Sequence, residues 1–280
     1  MRRLGKVVLD ALRSFNADDG WAMASHVSLS ALMAVFPFLI FVATLAAFIG
    51  DAGLGDRVAD LVFASWPAEV AGPIAAEVHR VLSVQRGGLL TISVVVTIFL
   101  ASNGVEAVRT ALNRAYKVSE TRSFLFLRGQ SVLFVLIGAV ASLVVAFLGV
   151  LGPLIFDRLK TEFPVLLPFD ELFAYASIAV TGLTIIVTLV AAHLWLPAGR
   201  PEAIRLWPGI AVTLVTWLGS VVLFSFYLRR FANYVGTYAG LAGAVTAIFF
   251  LYLVATLLIF GGEFNAALAR ARAERAATGT

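Results

Sequence analysis

Apolar residues fill six long runs of this chain, and polar residues collect in the gaps between them. The runs cover roughly residues 26–50, 88–107, 131–156, 172–196, 206–228 and 238–261, each near the ~20 mostly apolar residues that a membrane-spanning helix needs. A different pattern precedes the first run. Leu4, Val7, Val8, Ala11, Leu12 and Phe15 recur at i, i+3, i+4 spacing, with Arg2, Arg3, Lys6 and Arg13 elsewhere around the helix. That spacing predicts an amphipathic helix within residues 1–20, lying in the membrane interface. Between the first two runs the same periodicity returns at Leu54, Val58, Leu61 and Val62, then at Val70, Ile74, Val81 and Leu82, interrupted by Trp66–Pro67. Two short amphipathic helices are expected there.

These elements add up to an all-α fold class: a polytopic membrane protein with six transmembrane helices. One membrane domain takes up residues 1–280, with a six-helix bundle over 26–261 and a tail over 262–280. Composition agrees, since 60% of residues are hydrophobic, 14% are charged and the mean hydropathy is +0.94. A soluble domain could not cover that much apolar surface. Of the 21 Lys and Arg residues, 14 fall on one side of the predicted topology and 7 on the other, which places both termini in the cytoplasm by the positive-inside rule. The net charge of +4 then reflects orientation, and no nucleic-acid partner is expected. The charged N-terminus lacks an uninterrupted apolar core and an A-x-A-like site, so it is expected to stay attached. With no cysteine, disulfides, thiolate catalysis and thiolate metal sites are excluded.

Polar side chains at membrane depth are costly, so their placement on each helix carries information. At 100° per residue Asp19, His26, Ser30, Met33 and Pro37 share a narrow face, and Pro37 cannot donate to the Met33 carbonyl. His26 reads either as a hydrogen-bonded packing residue near the interface or as a proton-handling group. Ala24 and Ser28, spaced as small-xxx-small, suit helix contact. At the end of the second run Ser102, Glu106, Arg109 and Asn113 lie within about 60° of one another, and Glu106 and Arg109 can pair at i, i+3. In the sixth run Gly236, Gly240 and Ala244 form a small-residue ridge, while Tyr238, Tyr252, Thr256 and Glu263 align on the other side. The third run is nearly bare of polar groups and is expected to face lipid. Helices one, two and six are therefore expected to surround a polar cavity.

The stretches "SNGVEAVRTALNRAY" with "ETRSF", "LWPGIAVTLVTWLGSVVLFSFYLRRFANY" and "TYAGLAGAVTAIFFLYLVATLLIFGGEFNAALAR" resemble the YihY / virulence factor BrkB family of bacterial inner-membrane proteins. "LSALMAVFPFLIFV" is similar to its first-helix motif, although many members carry a tyrosine where Ser30 stands. The resemblance covers about Asp18 to Arg270. It implies a six-helix, multi-pass protein of the bacterial inner (cytoplasmic) membrane and leaves the biochemical activity open. The family's older ribonuclease label does not suit these residues. His26, His79 and His193 are scattered, and no H-x-H-x-D-H string is present to hold a catalytic metal.

The reading is a transporter or permease-like protein, not an enzyme, moving a small solute, ion or lipid along a polar pathway. That pathway comprises Asp19, His26, Ser30, Pro37, Ser102, Glu106, Arg109, Asn113, Tyr238, Tyr252, Thr256 and Glu263. Membrane lipids are the expected partners, with no cofactor and no bound metal. The alternative is a non-transporting envelope protein that organises a membrane complex or lipids.

Overall fold

The computed structural model describes residues 2–49, 90–148, 152–199, 205–235 and 241–278. The amphipathic helices predicted at 51–87 lie outside the described residues, as do Gly236, Tyr238 and Gly240. Among the described residues eight α-helices follow in order: α1 (Arg2–Ala17), α2 (Gly20–Ile49), α3 (Leu90–Ala115), α4 (Phe124–Ala146), α5 (Gly152–Glu162), α6 (Asp170–Trp195), α7 (Trp207–Val235) and α8 (Leu241–Thr278). A 3-10 turn, Pro164–Phe169, links α5 to α6, and the described residues contain no strand. Five segments among them are long and apolar enough to cross a membrane: Val95–Ala115, Phe124–Ser142, Pro164–Trp195, Trp207–Leu228 and Val245–Ala277. The first predicted run lies within α2, and Pro37 and Ala244 lie inside α2 and α8.

Helix boundaries depart from the predicted runs where local chemistry intervenes. The third run, expected over 131–156, is divided between α4 and α5. Pro153 occupies the second position of α5, where its missing N–H costs nothing but would break a continuing helix. Residues 262–280, expected as a tail, are helical as far as Thr278. At ~1.5 Å per residue α8 is about 57 Å long, well beyond the ~30 Å hydrocarbon core, so one end projects from the membrane.

That projecting end gives α1 its place. Val7 and Ala11 are buried against Phe264 and Ala267 of α8, while Phe15 packs with Ala24, Ala111, Ala255 and Ile259. The predicted apolar stripe of α1 is thereby divided. One edge is a packing surface, and Leu4, Val8, Leu9 and Leu12 stay exposed on the flank beside it. An interfacial helix would leave such a flank in contact with lipid.

α2 packs most extensively on α3 and α8, and α3 also touches α8, so predicted helices one, two and six are mutual neighbours. Ala24 and Ser28 are buried in this junction. α4, α6 and α7 turn large apolar side chains outward, among them Leu136, Ile178, Leu218 and Val222. A surface of that kind suits a hydrocarbon solvent. Where α7 crosses α8, a Cβ at either Gly209 or Gly261 would come within 3.0 Å of the partner helix. The two backbones meet there as closely as small residues permit.

Candidate functional site

The site begins at the last turn of α3. Val118 N–H donates to the Asn113 carbonyl and Lys117 N–H to the Arg114 carbonyl, which closes the helix with Lys117 in the left-handed region (φ 56°). Glycine normally fills that position, and a lysine there costs about 1–3 kcal/mol of backbone strain. A second left-handed residue, Asp19 (φ 57°), turns the chain from α1 into α2. The two strained corners meet: Arg114 pairs with the Asp19 carboxylate at 3.1 Å, and Lys117 Nζ meets both carboxylate oxygens of Asp18. Beside them opens a cleft of about 400 Å³ lined by Asp18, Glu106, Arg109, Asn113, Arg114, Lys117 and Glu120, with Leu127 of α4 on its wall.

Of the predicted polar face of α3, Glu106, Arg109 and Asn113 line this cleft and Ser102 does not, and most of the face is already engaged. Arg109 is buried and donates to the Leu127 carbonyl (3.1 Å) and to Ser131 Oγ (3.0 Å) on α4. Its predicted partner Glu106 lies 3.8 Å away and is shared with Arg128, also at 3.8 Å. With its side chain 47% exposed, Glu106 is the freest acid of the group. Asn113 donates to Glu120 (3.1 Å) and accepts from the Ala198 N–H (2.8 Å), tying the loop after α3 to the loop after α6. Ser102 is buried and bonds back to the Phe99 carbonyl at 2.8 Å. Glu120 is held well below the usual carboxylate range, at about 2, chiefly by its hydrogen bonds from Arg122.

The predicted residues of α2 are more dispersed. His26 and Met33 are exposed, and Asp19 is engaged at the corner. Ser30 is half-buried opposite Gly104, where a Cβ on the glycine would lie 3.7 Å from Ser30 Cβ. That is helix packing distance. Ser28 spends its hydroxyl on the Ser25 carbonyl (2.9 Å). On α8, Tyr252 and Thr256 are partly buried between helices, and Thr256 Oγ1 has no hydrogen-bond partner. Of helices one, two and six, the cleft draws its lining from the second and from the corner that leads into the first.

Glu263 lies on α8 and is 1% exposed. Its second oxygen, Oε2, has no partner. Around it every residue from Gly261 to Ala267 is buried, enclosed by α1, α3, α6 and α7. Neighbouring Asn265 accepts from the Gly209 N–H (2.7 Å) and donates to the Leu206 carbonyl (3.0 Å), satisfying two backbone groups at the start of α7. Tyr116 OH lies 2.8 Å from His193 Nδ1, both rings enclosed, and burial pushes the phenol up from its usual value.

Residues 11–279 match the profile of the family described as Virulence factor BrkB. This chain belongs to that family. The ribonuclease-like protein YfkH of Bacillus subtilis (strain 168) is 31% identical over 258 residues, which cover 91% of this chain and 92% of the relative. No solved structure matches the chain. Membership in the BrkB family and the apolar helices together make this a multi-pass integral membrane protein.

Asp18, Tyr116, Lys117, His193 and Asn265 take part in this region and escape a reading of helix faces. Two of them, Tyr116 and Lys117, lie beyond the helical part of α3, where a 100° wheel has no meaning. The doublet Asp18–Asp19 and the run "GGEFNAAL" were the available signals, one marking a turn and the other a close helix contact.

Proposed function

We propose that this BrkB-family protein is a transporter or permease-like protein of the bacterial inner membrane, moving a small solute, ion or lipid and carrying out no enzymatic reaction. It crosses the membrane six times, α2 supplying the remaining span, and keeps both termini in the cytoplasm. The observation that carries this reading is the cleft. It brings acids and bases from α3, the α1–α2 corner and the following loop to a place where a spanning helix ends. Charged groups so close to hydrocarbon are expensive, and in membrane proteins they mark pathways and binding sites. Glu106, paired only at 3.8 Å and half open, is the group available to a passing ligand.

The relative's name raises nucleic-acid hydrolysis. Against it stands the donor set: no group of three or more His, Cys, Asp or Glu among the described residues could hold a metal ion. A different observation favours the non-transporting alternative, an envelope protein that organises a complex or lipids. Arg109 and Asn113 already spend their hydrogen bonds on α4 and on loop backbone, as structural residues do.

Thermal unfolding of the purified protein across sodium, potassium, chloride, amino acids and phospholipids separates the two. A transporter gives a shift with one class that is lost in Glu106→Gln at unchanged baseline stability. Shifts with phospholipid alone, unaffected by Glu106→Gln, support the organising role.

A further inference from the structure

We infer that α1 carries a binding site for a membrane phospholipid with a net negative headgroup. Lys6 and Arg13 hold its phosphate, and its chains lie along the apolar flank beside them. Two clefts border the helix. One, of about 600 Å³, is lined by Leu4, Gly5, Val8, Leu9 and Leu12, and Gly5 leaves it open, since a Cβ there would meet nothing within 4 Å. The other, of about 710 Å³, lies between α1 and the projecting end of α8, where Lys6, Arg13, Arg270 and Arg275 outnumber Asp10 and Glu274.

The order of side chains around α1 selects the occupant. At 100° per residue Val7, Ala11 and Phe15 form the edge packed on the protein, and Leu4, Val8, Leu12 and Leu9 occupy the exposed arc beside it. Arg13 stands about 40° beyond Leu9, Lys6 about 60° and Asp10 about 100°. The cations thus border the apolar flank, and the acid is farther from it. With the flank among acyl chains, Lys6 and Arg13 reach the level of the lipid phosphates while Asp10 turns toward water. A neutral surface gives no reason for that order, and an anionic one does.

Both cations are open to a ligand. Lys6 is exposed, the Arg13 side chain is 72% exposed and meets Asp10 at 3.9 Å, and among the described residues neither donates a hydrogen bond. Arg270 is instead anchored on Ser14 Oγ at 2.9 Å, which ties the α8 wall of the groove to α1. A free phosphate would engage the cations and leave the leucines uncovered. A phospholipid satisfies both.

The test is native mass spectrometry of the full chain released from detergent micelles, titrated with phosphatidylglycerol, phosphatidylcholine or inorganic phosphate. Phosphatidylglycerol is expected to bind at least about tenfold more tightly than phosphatidylcholine. Arg13→Gln should weaken phosphatidylglycerol about fivefold, and the double variant Lys6→Gln, Arg13→Gln should abolish the preference while phosphatidylcholine binds as before. Leu9→Ser should weaken both lipids. Equal binding of the two lipids by the parent, or a preference that survives in the double variant, overturns the inference. Full displacement of phosphatidylglycerol by inorganic phosphate overturns it too, because the apolar flank then contributes nothing. A preference lost in Glu106→Gln and kept in the double variant places the lipid in the cleft at the end of α3, which refutes the α1 site without touching the proposal of transport.

Discussion

Replacing Gly209 by alanine tests the packing at the centre of the structure. A Cβ there would come within 3.0 Å of the Gly261 carbonyl oxygen and of the Asn265 side chain. The first obstacle is backbone and cannot rotate away. The second can move only by giving up the bonds of Asn265 to the Gly209 N–H and the Leu206 carbonyl. Overpacking a tight contact costs ~1–3 kcal/mol, and each hydrogen bond lost adds about 1 kcal/mol. The total is about 3 kcal/mol or more. Gly219, ten residues along the same helix, is the control: a Cβ there meets nothing within 4 Å. Its change to alanine is expected to stabilise α7 by ~0.5–1 kcal/mol through helix propensity. Thermal unfolding of both variants in one detergent should therefore place them on opposite sides of the parent. If Gly209→Ala unfolds with Gly219→Ala, α7 and α8 do not meet as described.

Three further outcomes follow from named contacts. Asn265→Ala strands the buried Gly209 N–H and takes one of two donors from the Leu206 carbonyl, which keeps the Ile210 N–H, and should cost about 1–3 kcal/mol, measured by the same unfolding assay. Arg109→Ala removes Nη1, the one nitrogen that donates to both the Leu127 carbonyl and Ser131 Oγ, and should cost about 2–4 kcal/mol; hydrogen exchange would show it as faster opening of the α3–α4 hairpin. Glu120, depressed from 4.5 to about 2, contributes stability that is fully present above its unfolded value and is lost as pH falls through about 2. Because the residue is largely exposed, solvent screening keeps this contribution below ~1 kcal/mol, and Glu120→Gln should flatten the unfolding temperature between pH 4.5 and pH 2.

Much of the architecture was legible because lipid imposes a coarse rule. Long apolar runs become helices, and Ala24 and Ser28 went inward as small residues between helices do. Where that rule weakens, the reading weakens with it. "LGPLIF" divides the third run, since Pro153 cannot extend α4, yet apolarity alone carries straight through it. Residues 262–267 look like a polar exit from the membrane, and their burial comes from α1 folding back onto them, a long-range contact that no window detects. The α3 face from Ser102 to Asn113 was identifiable by angle, but an angle does not name the neighbour, which is α4 for Arg109. Glu263 was visible as an acid near a helix end, but its burial depends on other helices packing around α8, which its own window does not name.

The central claim is that the cleft serves passage across the membrane, and flux through Glu106 tests it most directly. The chain has no cysteine to complicate reconstitution or labelling. Proteoliposomes would be assayed for uptake of labelled sodium, rubidium, chloride and amino acids, and for flip of fluorescent phospholipid. The account predicts protein-dependent movement of one of these classes, reduced at least about tenfold in Glu106→Gln, or about 1.4 kcal/mol, at equal incorporation and stability. Movement of none of them, or movement that Glu106→Gln leaves unchanged, would contradict it.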